Sequence, residues 1–260
     1  MKTPEPMTRA VAGARRAAPS ARRIRSQARF EALTLLRNGE QLLVSVILPA
    51  LALVGLTLSP FPDLGSLPRV DIVTPGVLAL AVASNAFTGQ AIATAFDRRY
   101  GVLRSYGVSP LGRSGLIIGK TLAVLAVLGL QVIVLGGLGL ALGWRPAVGG
   151  LLPGAVGLGL GAAAFVGLGL LLAGTLRAEA VLAVANLLWV LFLGLGLLLP
   201  LSTLPSWMEG IARWLPSGAL GEALRGALTL GSWPWSPWAV LAAWAALTGG
   251  LALRSFRWKP

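Results

Sequence analysis

Long apolar runs alternate with short polar or basic segments along most of this chain. Runs without a charged residue at about 42–58, 75–96, 122–142, 150–176, 180–199 and 238–253 come close to, or pass, the roughly 20 residues that a helix needs to cross a bilayer. The pattern predicts an all-α polytopic membrane protein with six transmembrane helices. Pro49 falls inside the first run, where it kinks the helix or marks close packing. Ala50-Leu51-Ala52 resembles a signal-peptide cleavage site, but the basic stretch before it is too long and the apolar run continues to Leu58, so the first span is retained.

The segments between the runs differ in kind. Residues 1–23 are rich in Ala, Arg and Pro and read as a disordered basic cytoplasmic tail. Over 24–40, Ile24, Ala28, Ala32 and Leu35 share one helical face with Arg22, Arg25 and Arg29 beside it, while Phe30 and Leu33 fall off that face. This predicts an amphipathic helix lying in the membrane interface, followed by the transmembrane domain over 41–260. Residues 59–74, with Pro60, Pro62, Asp63, Pro68 and Asp71, form an external loop. Residues 200–235 carry Pro200, Pro205, Pro216 and Pro234 together with Trp207, Trp214, Trp233 and Trp235. Two short helical pieces there, 206–214 and 219–230, lie in or dip into the outer leaflet.

Two spans hold unusual polar residues. The second carries Ser84, Asn85, Thr88, Gln90 and Thr94, and the fifth carries Asn186 beside Trp189 and Phe192. Lipid leaves such side chains unsatisfied, so they face other helices or a wet cavity. Helix–helix hydrogen bonding and a substrate path account for them equally well. In the fourth span Gly150/Gly154 and Gly157/Gly161 are small-xxx-small pairs, which permit close helix packing.

Composition sharpens the picture. Hydrophobic residues make up 55% and charged residues 12% of the 260 positions, with neither Cys nor His. Disulfides, thiolate catalysis and His-based metal sites are thereby excluded. The net charge of +13 does not point to nucleic acid in so apolar a chain. The cations hold loops on the cytoplasmic side and touch anionic lipid. With six spans and both termini cytoplasmic, 18 of the 22 Lys and Arg residues fall inside, as the positive-inside rule requires. The densest internal cluster is the loop after the second span, with Asp97, Arg98, Arg99, Arg104, Arg113 and Lys120.

The spans hold no ionisable residue near a midplane, where ion-driven carriers commonly place one. Gly115-Leu-Ile-Ile-Gly119-Lys120-Thr121 has three residues between its glycines where a phosphate-binding loop needs four, and no strand precedes it. Lys120 instead anchors the third span at the inner interface. Neither a paired-carboxylate site nor a Ser-His-Asp set is present.

The loop after the second span has an ordered pattern: Asp97, then Gly101-Val102-Leu103, Ser109-Pro110, Arg113 and Gly119-Lys120. With the six spans and the helix before them, this resembles the membrane subunit of a type-2 ATP-binding-cassette exporter of the bacterial drug- and antibiotic-resistance kind. Such subunits often carry Glu where this chain has Arg99. The resemblance implies a permease in the bacterial cell membrane, paired with a second copy or a related chain and driven by separate cytoplasmic ATPases that carry ATP and Mg. It implies no cofactor in this chain. Asp97, Arg98, Arg99, Gly101, Leu103, Arg104, Ser109, Pro110, Arg113 and Lys120 would couple to the ATPase, and the short external helices would close the outer end of the path. For the path itself the residues expected are Asn85, Phe87, Thr88, Asn186, Trp189 and Phe192, walls suited to an apolar or amphipathic substrate. A stand-alone channel or ion-coupled carrier is the competing reading.

Overall fold

The computed structural model describes residues 19–37, 39–102 and 112–255, and every regular element in them is helical. Most of the tail expected at 1–23 lies outside the described residues, as do Leu103, Arg104, Ser109, Pro110 and the side chain of Arg113. Helix α1 (Ser20–Arg37) precedes α2 (Gly39–Leu58), which contains Pro49. Next come α3 (Arg69–Arg99), α4 (Gly112–Ala141), α5 (Leu151–Thr175) and α6 (Ala178–Phe192). Two short helices follow, α7 (Ser206–Ala212) and α8 (Pro216–Leu228), before α9 (Trp235–Ser255).

Five stretches are long and apolar enough to cross a membrane: α3, Gly115–Ala141 of α4, Val148–Thr175, Ala178–Leu197 and Trp235–Arg254. Ser45–Leu58 of α2 is a shorter apolar stretch. Helix α3 is the centre of the bundle. It packs against α2, α4, α5 and α8, and every residue from Ile72 to Ala83 is buried. It is also longer than the apolar run suggests, extending to Arg99 at one end and back to Arg69 at the other.

Helix α1 lies along α4. The face carrying Ile24, Ala28, Ala32 and Leu35 is half-buried, and Phe30 and Leu33 point outward. The amphipathic face read from the sequence therefore meets protein, while the residues that fall off it remain exposed.

The fifth span is broken near its end. Leu195 and Gly196 leave helical geometry, Gly196 with φ +83°. A broken helix strands carbonyls that have no partner in an apolar medium. Helix α8 supplies the donors. Ser217 Oγ donates to the Leu195 carbonyl at 3.0 Å, and Arg225 Nη2 donates to the Gly196 carbonyl at 2.7 Å. Arg225 Nη1 reaches the Leu197 and Leu198 carbonyls at 3.5 and 3.4 Å, and Glu222 balances the charge at 3.1 Å. Arg225, within the short helical piece expected at 219–230, is buried within the protein.

Helix α8 fits because its neighbours are glycines. Leu228, Leu224 and Leu220, one per helical turn, lie over Gly154, Gly157 and Gly161 of α5. A Cβ at Gly154 or Gly161 would come within 2.7 or 2.6 Å of those leucines, and one at Gly150 within 1.8 Å of the Ala227 carbonyl. The small-residue pairs of the fourth span are thus the seat of α8.

Arg225→Gln is expected to lower the stability of the purified chain by about 3 kcal/mol, since it orphans buried carbonyls and Glu222. Arg225→Lys should retain only part of it, for want of the fork. Apparent Tm in detergent micelles reads both. In the same assay Gly221→Ala, whose Cβ would sit 2.0 Å from the Gly196 carbonyl oxygen, should be severely destabilising. Gly55→Ala, with nothing within 4 Å, should not be.

Candidate functional site

At one end of the bundle the basic residues join the helices to one another. Helix α3 ends in Asp97-Arg98-Arg99, and Tyr100 stacks on Phe96 with ring centroids 6.1 Å apart. Gly101 then turns the chain with φ +76°, and Gly112 at φ +69° starts α4, so glycines in the left-handed region bracket the loop. Arg98 is buried and donates to the Leu176 carbonyl, one of the groups left open where α5 stops. Arg99 pairs with Glu179 in the first turn of α6, where an acid also suits the helix dipole. The side chains of that pair are 50 and 64% exposed, so it adds little to stability.

A second junction ties α1 to α4. Lys120 is 1% exposed, and its Nζ lies 3.1 Å from Glu31 Oε1 and 3.2 Å from Oε2. Gln27 Nε2 donates to Glu31 Oε1 at 3.0 Å. The backbones approach closely here: a Cβ on Gly119 would be 2.9 Å from Gln27 Cγ. Asp97 is half-buried at the end of α3. Lys120 thus bonds to protein at the place where the sequence suggests an interfacial anchor. Of the coupling residues expected from the sequence, Asp97, Arg98, Arg99, Gly101 and Lys120 fall at this end. Glu31 and Glu179, which complete the ion pairs, were not among them. Their signal is only that they are acids in two otherwise basic or apolar segments.

The polar residues within the spans form two contacts. Asn85 Nδ2 donates to Gln131 Oε1 at 2.9 Å and to its own helix at the Ala81 carbonyl, also at 2.9 Å. Gln131 Nε2 passes the chain on to the Ser45 carbonyl of α2 at 3.0 Å. One amide pair therefore links the first three spans. Separately, Trp189 Nε1 of α6 donates to Ser84 Oγ of α3 at 3.0 Å.

Both contacts start from within a π-helical turn, Ala83–Gly89, in the middle of α3. Phe87 projects from it into a buried cluster with Phe165 and Phe192, with centroids 5.5–6.3 Å apart. Of the residues expected to line a path, Asn85, Phe87, Trp189 and Phe192 gather around this turn. Thr88 is half-buried on the same turn, and its Oγ1 has no partner among the described residues. Asn186 lies apart from them on the exposed side of α6.

No group of three or more Asp or Glu residues able to hold a metal occurs among the described residues. What the basic end offers is a set of cross-braces joining α1, α3, α4, α5 and α6, next to a loop framed by glycines.

A search of characterised proteins finds no match for this chain. Residues 22–229 match the family described as ABC-2 type transporter. That span runs from α1 through α8, covering both the cross-braced end and the broken fifth span. The chain belongs to the ABC-2 type transporter family, as a membrane-embedded permease component.

Proposed function

We propose that this chain is the permease subunit of an ATP-driven exporter for an apolar or amphipathic substrate such as a drug or a lipid. Family membership supports the permease role. The observation that carries the coupling is the cross-bracing by Arg98, Arg99 and Lys120. A partner that moves the loop between α3 and α4 moves several spans together, because their ends are tied to one another. In this reading the basic end faces the cytoplasm of a bacterial cell, with both termini on that side. ATPase subunits carrying ATP and Mg dock there on α1 and on the loop from Asp97 to Arg113, and Lys120 lies behind that surface.

The path forms against a second membrane subunit, a copy or a related chain. Helix α6 exposes Asn186 together with Leu187, Val190 and Leu191. An exposed amide on a span is unsatisfied in lipid and suits a protein neighbour. The aromatic cluster of Phe87, Phe165 and Phe192 stands behind that surface and gives the wall its apolar character. The external helices α7 and α8 close the outer end.

Isolation in mild detergent from native membranes, followed by an ATPase assay on the eluate, tests this reading. Recovery of an ATP-binding protein in equal copies, lost when Asp97, Gly101 and Arg104 are replaced together, is the expected result. A homo-oligomer without ATPase would instead favour a channel or ion-coupled carrier. Within the complex, Arg99→Glu and Glu179→Arg are each expected to depress substrate-stimulated ATPase while changing stability by less than about 1 kcal/mol. The double reversal should restore activity in part.

A further inference from the structure

Between the π turn and the basic end, α3 carries polar residues that the bundle encloses. Gln90, Thr94 and Arg98 follow one another at intervals of four, so they share one helical face. They are 2, 0 and 8% exposed. This part of α3 packs against α5 and α6. Arg98, at the foot of the stripe, donates to the Leu176 carbonyl where α5 stops. The stripe therefore runs on the side of α3 that meets α5.

Its other two members are not satisfied by protein. Gln90 Oε1 and Thr94 Oγ1 are both buried, and neither has a hydrogen-bond partner among the described residues. Thr74, Thr121, Thr175 and Thr248 show the ordinary solution for a hydroxyl in a span: each donates to the carbonyl four residues back in its own helix. Thr94 lies in regular α-helix, Gln90–Arg99, with the same carbonyl at hand, and does not take it. Leaving one such group bare opposes folding, and here two lie a single turn apart. The ligand that suits them must both donate and accept. A metal cation would stand one turn from the Arg98 guanidinium, and an anion would face the Gln90 oxygen. Water meets neither objection.

We propose that Gln90 and Thr94 form a buried water site, in which one water molecule donates to Gln90 Oε1 and accepts from the Thr94 hydroxyl. A water-mediated bond is nearly as favourable as a direct one, so the site answers both groups at once. It also sets the two halves of α3 apart. From the π turn, Asn85 and Ser84 bond directly to α4 and α6. Past it, the polar face is completed by an exchangeable molecule. A shift of this half of α3 along α5 then breaks no direct side-chain bond of Gln90 or Thr94. Any use of that freedom in coupling rests on the exporter reading. The water site does not, and its test needs neither ATPase nor transport.

The apparent Tm of the purified full-length chain in detergent micelles is the readout. Thr94→Val and Gln90→Met each remove one arm of the site. Each is expected to lower Tm by a few degrees, and the double variant no further than the larger single, because the water is lost only once. Thr94→Ser, which keeps the hydroxyl, should stay close to the parent. A higher Tm with Thr94→Val would reveal a bare hydroxyl in dry packing and overturn the proposal. Additive losses would overturn it by showing two independent roles. So would a loss in Thr94→Ser as large as in Thr94→Val, by tracing the effect to packing rather than to the hydroxyl.

Discussion

The structure depends on one rule of the bilayer: a backbone carbonyl released from a helix must find a donor inside the protein. Three times in this chain a helix is interrupted and a side chain from another element repairs it. Pro49 cannot donate to the Ser45 carbonyl, and Gln131 does so from α4. Pro75 likewise frees the Asp71 carbonyl, and Thr229, just after α8, donates to it at 2.6 Å. The break at Leu195 and Gly196 is answered by Ser217 and Arg225. Each repair is also a tertiary link. The interruptions therefore fix which helices are neighbours, which uniform apolar helices could not do, since lipid and leucine are nearly equivalent surroundings.

Glycine does the complementary work. A short helix such as α8 has too little apolar surface to hold itself at depth. It is buried because glycines on α5 let it approach to backbone contact, while Gly76 on α3 admits the broken end of the fifth span. A Cβ on Gly76 would stand 2.0 Å from the Leu198 carbonyl oxygen. Close approach brings Arg225 within reach of the broken end of the fifth span. The hydrogen bonds in turn fix the depth at which the leucines of α8 meet the glycines. Packing and polar satisfaction here are two descriptions of one fit.

The spans were legible in the sequence because hydropathy over about 20 residues is a strong signal, and the basic loop was legible by its charge. Partner choice was not. Periodicity placed Ile24, Ala28, Ala32 and Leu35 on one face of α1, but a face cannot say whether lipid or another helix covers it. The polar residues of the second span left hydrogen bonding and a path open. Asn85 and Ser84 form interhelical bonds, while Asn186 of the fifth span is left exposed. The role of Arg225 was not legible: a helical piece was expected at 219–230, but only the break at Gly196, invisible to hydropathy, gives its cation a buried partner.

The two ends of the molecule are bound differently, and α3 joins them. At about 46 Å by its 31 residues, it exceeds the roughly 30 Å hydrocarbon layer and carries contacts at both ends. At one end the Asp71 carboxylate accepts from the Arg145 amide and its carbonyl from Thr229, neutral or singly charged bonds that hold a fixed geometry. At the other, Arg98 donates to the Leu176 carbonyl and Arg99 pairs with Glu179. The π-helical turn at Ala83–Gly89 lies between them, opposite Gly169, where a Cβ would come within 2.9 Å of the Phe87 carbonyl oxygen. A π turn inserts a residue into the ladder and loosens local register. Placed at the centre of α3, beside the aromatic cluster, it is, in the proposed exporter reading, where a displacement of the basic end would be absorbed or passed into the wall of the bundle.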